Sequence, residues 1–105
     1  VNPSPHTRTT FKSIPLSRGS AYCRFRIQLG DHYLVIRLRW LTLYGYFCVD
    51  IHEQGQPVAC GRALHPGVDL LAGLNNNLGK LVLRGATPTI SNLGVDNKLE
   101  WIPNE

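Results

Sequence analysis

Two adjacent runs of this chain alternate apolar and polar residues with period two, and a two-residue turn separates them. In Tyr22 to Leu29, one parity holds Cys23, Phe25, Ile27 and Leu29, and the other holds Tyr22, Arg24, Arg26 and Gln28. A helix would scatter these residues around its axis, whereas a strand sends alternate side chains to opposite faces. Gly30-Asp31 supplies turn chemistry. His32 to Trp40 then resumes the pattern, with Leu34, Ile36, Leu38 and Trp40 on one face and Tyr33, Val35, Arg37 and Arg39 on the other. The two runs therefore read as a β-hairpin with one buried face. Its register is tightly specified, because a slip of one residue would carry every leucine and isoleucine to the wrong side.

The strand texture continues. Tyr46 to His52 places Phe47, Val49 and Ile51 inward, Glu53-Gln54-Gly55-Gln56 forms a second polar turn, and Val58, Cys60 and Arg62 continue the alternation as a fourth strand. Beyond it, the breakers in Pro66 to Gly73 exclude a long helix and allow one short turn from Val68 to Leu71. Lys80 to Arg84 and Leu99 to Ile102 are short apolar strands, and Asn75-Asn76-Asn77 is a polar turn. No window of a dozen residues has a helical apolar stripe. The expected class is all-β, a small antiparallel β-barrel or sandwich. Residues 1–13, with Pro3, Pro5, Thr7, Thr9 and Thr10 and no periodic apolar face, read as a flexible N-terminal arm, and residues 14–105 as a single β-rich domain. The 105 residues suffice for one core and not for two.

Composition narrows the function. Charged residues make up 17%, against about 25% in ordinary soluble domains, so the surface is sparsely charged. The formal charge of +4 permits a polyanionic partner without requiring one. No apolar run reaches the length of a membrane span, and the first twenty residues lack a charged-then-apolar leader pattern. The chain reads as soluble and unexported, with no membrane partner. Cys23, Cys48 and Cys60 lack the close pairs of a zinc site and read as reduced, mostly packing thiols.

No constellation of an active site is present. His6, His32, His52 and His65 show no ligand spacing. Cys48 and His52 lie roughly 13 Å apart along a strand; Asp50, Glu53 and Asp69 could be imagined as paired acids, but Asp50 shares its strand face with Tyr46 and Cys48 and reads as a solvated or interface carboxylate. No glycine-rich loop opens a helix to cradle a phosphate. Catalytic, cofactor-binding and metal-ligating residues are therefore expected to be absent, with no cofactor and no small-molecule substrate.

Two surfaces stand out. Arg24, Arg26, Arg37 and Arg39 gather on the outer face of the hairpin with Tyr22 and Tyr33, as in an OB-like barrel that binds single-stranded nucleic acid. Arginine on an exposed strand face more often serves solubility, cross-strand pairing or contact with acidic groups of another protein, so nucleic acid is the lesser reading. The connection from Trp40 to Tyr46 offers Leu41, Leu43, Tyr44 and Tyr46 around Gly45, where polar turn residues are usual. Such a loop either folds back over the end of the barrel or contacts another protein.

Six short motifs, in this order, carry a resemblance: Ile14-Pro15-Leu16, Arg39-Trp40, Val49-Asp50-Ile51, Gly67-Val68-Asp69-Leu70-Leu71, Asn92-Leu93-Gly94 and Leu99-Glu100-Trp101-Ile102-Pro103. Together they resemble the baseplate plug family of contractile-tailed bacteriophages, over Ile14 to Pro103. Where that family often has Asn after the Arg-Trp pair and Trp near the start of the third strand, this chain has Leu41 and Phe47. The resemblance implies a structural virion protein and no enzyme. It implies closure of the distal tail tube at the hub and spike, assembly in the host cytoplasm, and several copies around a three-fold axis. Hub and spike proteins, and the tail tube, are its implied partners.

Overall fold

The computed structural model describes residues 12–74 and 78–103. Seven strands appear in chain order: β1 (Lys12–Ile14), β2 (Tyr22–Leu29), β3 (His32–Leu41), β4 (Tyr46–Glu53), β5 (Gln56–Ala63), β6 (Lys80–Gly85) and β7 (Asn97–Ile102). They form an antiparallel four-stranded sheet, β2-β3-β4-β5, and an antiparallel three-stranded sheet, β1-β7-β6. No strand pairing joins the two sheets among the described residues. Of the two expected all-β architectures the molecule is thus sandwich-like, not a closed barrel.

The expected register holds. Phe25 pairs with Ile36 and Ile27 with Leu34, while Ile36 pairs with Ile51 and Leu38 with Val49. Leu34, Ile36, Leu38, Phe47, Val49 and Ile51 are buried, and Phe25 and Ile27, on the edge strand, are half-buried against them. Ile14, Leu81, Leu83 and Leu99 from the smaller sheet complete one continuous core, each such side chain contributing roughly 1.5–3 kcal/mol by leaving water. The turns follow their residues. Gly30 alone takes positive φ (62°) between β2 and β3, the pattern of a type II′ turn, while Gln54 (51°) and Gly55 (80°) both take it between β4 and β5, as type I′ requires.

Three expectations need correction. Lys12 and Ser13, assigned to the arm, lie in β1, where Ser13 pairs with Glu100 and Ile14 with Leu99. A strand of three residues is too short to show a period. Residues 1–11 of that arm and the Asn75-Asn76-Asn77 turn lie outside the described residues. In β5, Val58 is half-buried, Ala59 buried and Cys60 exposed. Register shifts between Val49 and Ile51 and between Ile51 and His52 insert extra residues into β5, and each bulge reverses parity locally. Asp50, read as solvated or interfacial, is buried, for reasons given below.

The segment from Pro66 to Gly73 makes turns, as its breakers suggest, and lies along β6. Gly67 N–H donates to Leu83 O at 2.8 Å and Leu70 N–H to Leu81 O at 2.8 Å, while Asp69 Oδ1 accepts from Leu71 N–H and Leu81 N–H, both at 3.0 Å. The outer edge of β6 is therefore covered. β5 carries Pro57 and the two shifts, and β1 has only three residues. β2 alone presents eight residues in unbroken register with its neighbour and no strand on its other side among the described residues.

The turn between β6 and β7 is held by amide side chains. Asn97 is buried; its Oδ1 accepts from Gly94 N–H at 2.7 Å and its Nδ2 donates to Ala86 O at 3.2 Å. Asn92 Oδ1 accepts from Thr89 N–H at 2.7 Å. Gly94 has φ 81°, and a Cβ there would stand 2.7 Å from Leu16 O. Gly94→Ala is therefore expected to destabilise the fold by about 2 kcal/mol, read as a lowered urea midpoint at unchanged slope.

Candidate functional site

The β3–β4 hairpin carries the apolar loop. Leu41 pairs with Tyr46, and Leu41 O accepts from Tyr44 N–H at 3.0 Å and Gly45 N–H at 2.7 Å. These bonds close a tight four-residue loop, in which Gly45 takes φ 76°. Leu43 is 90% exposed and Tyr44 70%, so the loop projects from the sandwich and does not fold back over its end. Leu41 and Tyr46, at its base, are half-buried. The Tyr44 and Tyr46 rings lie 6.2 Å apart and the Tyr46 and His65 rings 5.5 Å apart, giving a short aromatic row that leads from the tip onto the sheet. His65 joins it from a segment nineteen residues downstream of Tyr46. Nothing in the local sequence around either residue announces that meeting.

The outer face of the larger sheet continues from this loop as a ladder of cross-strand pairs: Leu41 with Tyr46, Arg39 with Cys48, Arg37 with Asp50 and Val35 with His52. All four arginines share the face, as their parity dictates, but they meet different neighbours. Arg24 stands directly opposite Arg37, and Arg26 opposite Val35. Like charges placed opposite one another repel, and Asp50 answers that repulsion. Its Oδ2 accepts from Arg37 Nη2 at 3.0 Å and lies 3.8 Å from Arg39 Nη2. Its Oδ1 accepts from Gly61 N–H at 2.8 Å. Gly61, at φ 71°, sits in the first bulge of β5, which turns a backbone donor toward the carboxylate.

Burial by itself raises the pKa of the Asp50 carboxyl. The Gly61 N–H, the Arg37 hydrogen bond and the charges of Arg37 and Arg39 together outweigh that, and hold it below the ordinary carboxylate value. Two of the four guanidiniums are thus engaged within the sheet, leaving Arg24 and Arg26 exposed on the edge strand, with Tyr22 and Tyr33 also exposed on the same face. A polyanion laid on this face would meet half the free charge that the sequence suggests.

The other chemistry-bearing residues are scattered. Cys48 is buried, with Arg39 Nη2 at 3.6 Å from its sulfur. Burial pushes the Cys23 thiol up, which favours packing over reactivity. His32 Nδ1 meets Glu53 Oε2 at 2.8 Å, tying together two turns at the end of the sheet opposite the apolar loop. No group of three or more His, Cys, Asp or Glu side chains converges among the described residues.

Polar residues of the motifs behind the family resemblance are occupied in holding backbone. Asp50 holds Gly61, Asp69 holds Leu71 and Leu81, Asn92 holds Thr89, and Trp101 Nε1 donates to Leu78 O at 2.7 Å. These motifs specify the sandwich, and the exposed loop and edge lie mostly between them. A comparison with curated proteins finds no match. The family model described as cyanophage baseplate Pam3 plug gp18 matches residues 11–104, a span that contains all seven strands. The chain belongs to this phage baseplate plug family.

Proposed function

We propose that this chain is a non-enzymatic structural part of a contractile phage tail, closing the distal end of the tail tube at the hub and spike. Membership of a baseplate plug family makes it a baseplate component that contacts other baseplate proteins. The finer placement is our own reading. In it, the Leu41 to Tyr46 loop and the segment ahead of β1 are the contacts to the hub, several copies sit around a three-fold axis, and assembly takes place in the host cytoplasm. The family match over residues 11–104 is the observation that carries this reading. The projecting loop supports it, because Tyr44, exposed at its tip, is of a kind enriched among the side chains that dominate protein interfaces, and the exposed Leu43 beside it adds apolar surface.

The test is a reconstruction of purified virions from a host producing this chain. The expected result is density for a sandwich of four and three strands across the distal lumen of the tube, with the β3–β4 loop against the hub. Tails that lack the chain, or carry it only on the outside of the baseplate, would overturn the placement.

A further inference from the structure

We infer that the outer face of the larger sheet, toward the end opposite the apolar loop, is a basic groove that holds a short acidic segment of another protein. On β2, β3 and β4 this face carries four guanidiniums, Arg24, Arg26, Arg37 and Arg39, against one carboxylate, Asp50. Most of the chain's net charge of +4 is therefore gathered here. The face is not flat. A hollow of about 360 Å³ is lined by Arg24, Val35, Arg37, His52 and Gly55, and one of about 460 Å³ beside it has Arg26, Tyr33, Val35 and Gly55 among its walls. Gly55 belongs to the turn after β4, yet it shares both hollows with arginines of β2, two strands away. The twist of the sheet thus brings that turn to face β2 across Val35. The two hollows form one groove, roughly 10 Å from β2 to β4, which takes a single extended chain.

Charge and spacing select the occupant. Arg37 and Arg39 share Asp50, whereas no ion pair or side-chain hydrogen bond joins Arg24 or Arg26 to another described residue. Both are exposed. Two residues apart on one strand, they stand roughly 7 Å from each other, the spacing of side chains at alternate positions of an extended peptide. The complement is an acidic residue, any residue and a second acidic one, each carboxylate accepting from a guanidinium as Asp50 accepts from Arg37. Val35 and the exposed ring of Tyr33 offer apolar contact to an aliphatic side chain next along the segment. A second copy does not supply this pattern, since no two of the chain's seven Asp and Glu residues lie within two positions of one another. A nucleic acid fits less well, because its phosphates would run from two free guanidiniums past the fixed negative charge of Asp50. The groove lies at the other end of the β3–β4 hairpin from Leu41 and Tyr46, so the inference needs nothing from the baseplate reading, and its failure would leave that reading standing.

The test is an NMR titration of the whole chain with the peptide acetyl-Gly-Glu-Thr-Glu-Thr-Val-Gly-amide at low salt. Saturable binding is expected, with a Kd of about 1 mM or tighter and shift changes centred on Arg24, Arg26, Val35, Arg37, His52 and Gly55. The same peptide with Gln in place of both Glu residues should bind at least about 10-fold more weakly, as should the original peptide to Arg24→Gln with Arg26→Gln. Lys80→Gln with Lys98→Gln removes equal charge from exposed positions of the smaller sheet and is expected to change binding by less than about 2-fold. The comparison of Glu and Gln peptides on the unaltered chain stands even if the arginine variant unfolds. No saturation by about 10 mM peptide, equal binding of the Gln peptide, shifts centred elsewhere, or an equal loss in the lysine variant would each overturn the inference. So would tighter binding of a thymidine decanucleotide at the same residues, which would make the groove a nucleic-acid site.

Discussion

Asp50→Ala is expected to lower stability by about 2–3 kcal/mol, a fall of roughly 10–20 °C in melting temperature for a domain of this size. The carboxylate is buried, while the guanidiniums of Arg37 and Arg39 remain nearly half exposed, so water screens part of the charge loss. The remainder is structural. Without the carboxylate, Gly61 N–H loses its acceptor in the bulge, and the repulsion between the paired Arg24 and Arg37 is no longer offset by a negative charge beside Arg37. Asp50→Asn is expected to cost less, since an amide oxygen can still accept from Gly61. The pH dependence has a definite sign. The folded-state pKa of Asp50 lies below the usual carboxylate value, so its contribution is complete above the unfolded value of about 3.9 and is lost as pH falls through the folded one. Thermal melts of the chain and of Asp50→Asn should therefore keep their full difference from neutrality down to about pH 4, and begin to converge only below it as the carboxylate of the folded state is protonated. A constant difference down to pH 2 would show that the charge of Asp50 contributes nothing.

Leu43→Ser combined with Tyr44→Ala is expected to leave the melting temperature within about 2 °C of the parent, because side chains this exposed have little to lose on unfolding. Incorporation into tails should nevertheless fall by about 100-fold, as the loss of two central anchors at about 1–2 kcal/mol each implies. The readout is the amount of the chain copurifying with tails when the variant complements a phage lacking the native gene. Normal incorporation would place the contacts elsewhere. A large drop in melting temperature would mean that the loop supports its own fold instead of a neighbour.

The hairpin of β2 and β3 and the inward face of β4 are legible because a period of two over eight or more residues leaves no competing register. The loop at Leu41 to Tyr46 is legible for the opposite reason, as apolar residues where solvent-facing ones are usual. Asp50 is not legible in its actual role. Its parity places it correctly on the outer face, but its burial depends on a bulge eleven residues further along the chain, at Gly61, and bulges have no periodic signature. The same bulges explain why Cys60 emerges into solvent when simple alternation continues past Val58. β1 escapes notice because its three residues gain their strand character from β7, some 85 residues later in the chain. Of the candidate site, the membership of the four-arginine face can be read from parity, whereas the division into two engaged and two free guanidiniums cannot.

The unequal edges of the sandwich limit what the chain can build. Growth by strand stacking requires two competent edges on every copy. Here β5 is broken by Pro57 and its shifts, β6 is covered by the Pro66 to Leu70 segment, and β1 is three residues long. With at most one such edge among the described strands, a subunit can terminate a stack and cannot propagate it. By strand pairing at the described edges, a rising concentration therefore does not drive this fold into fibres.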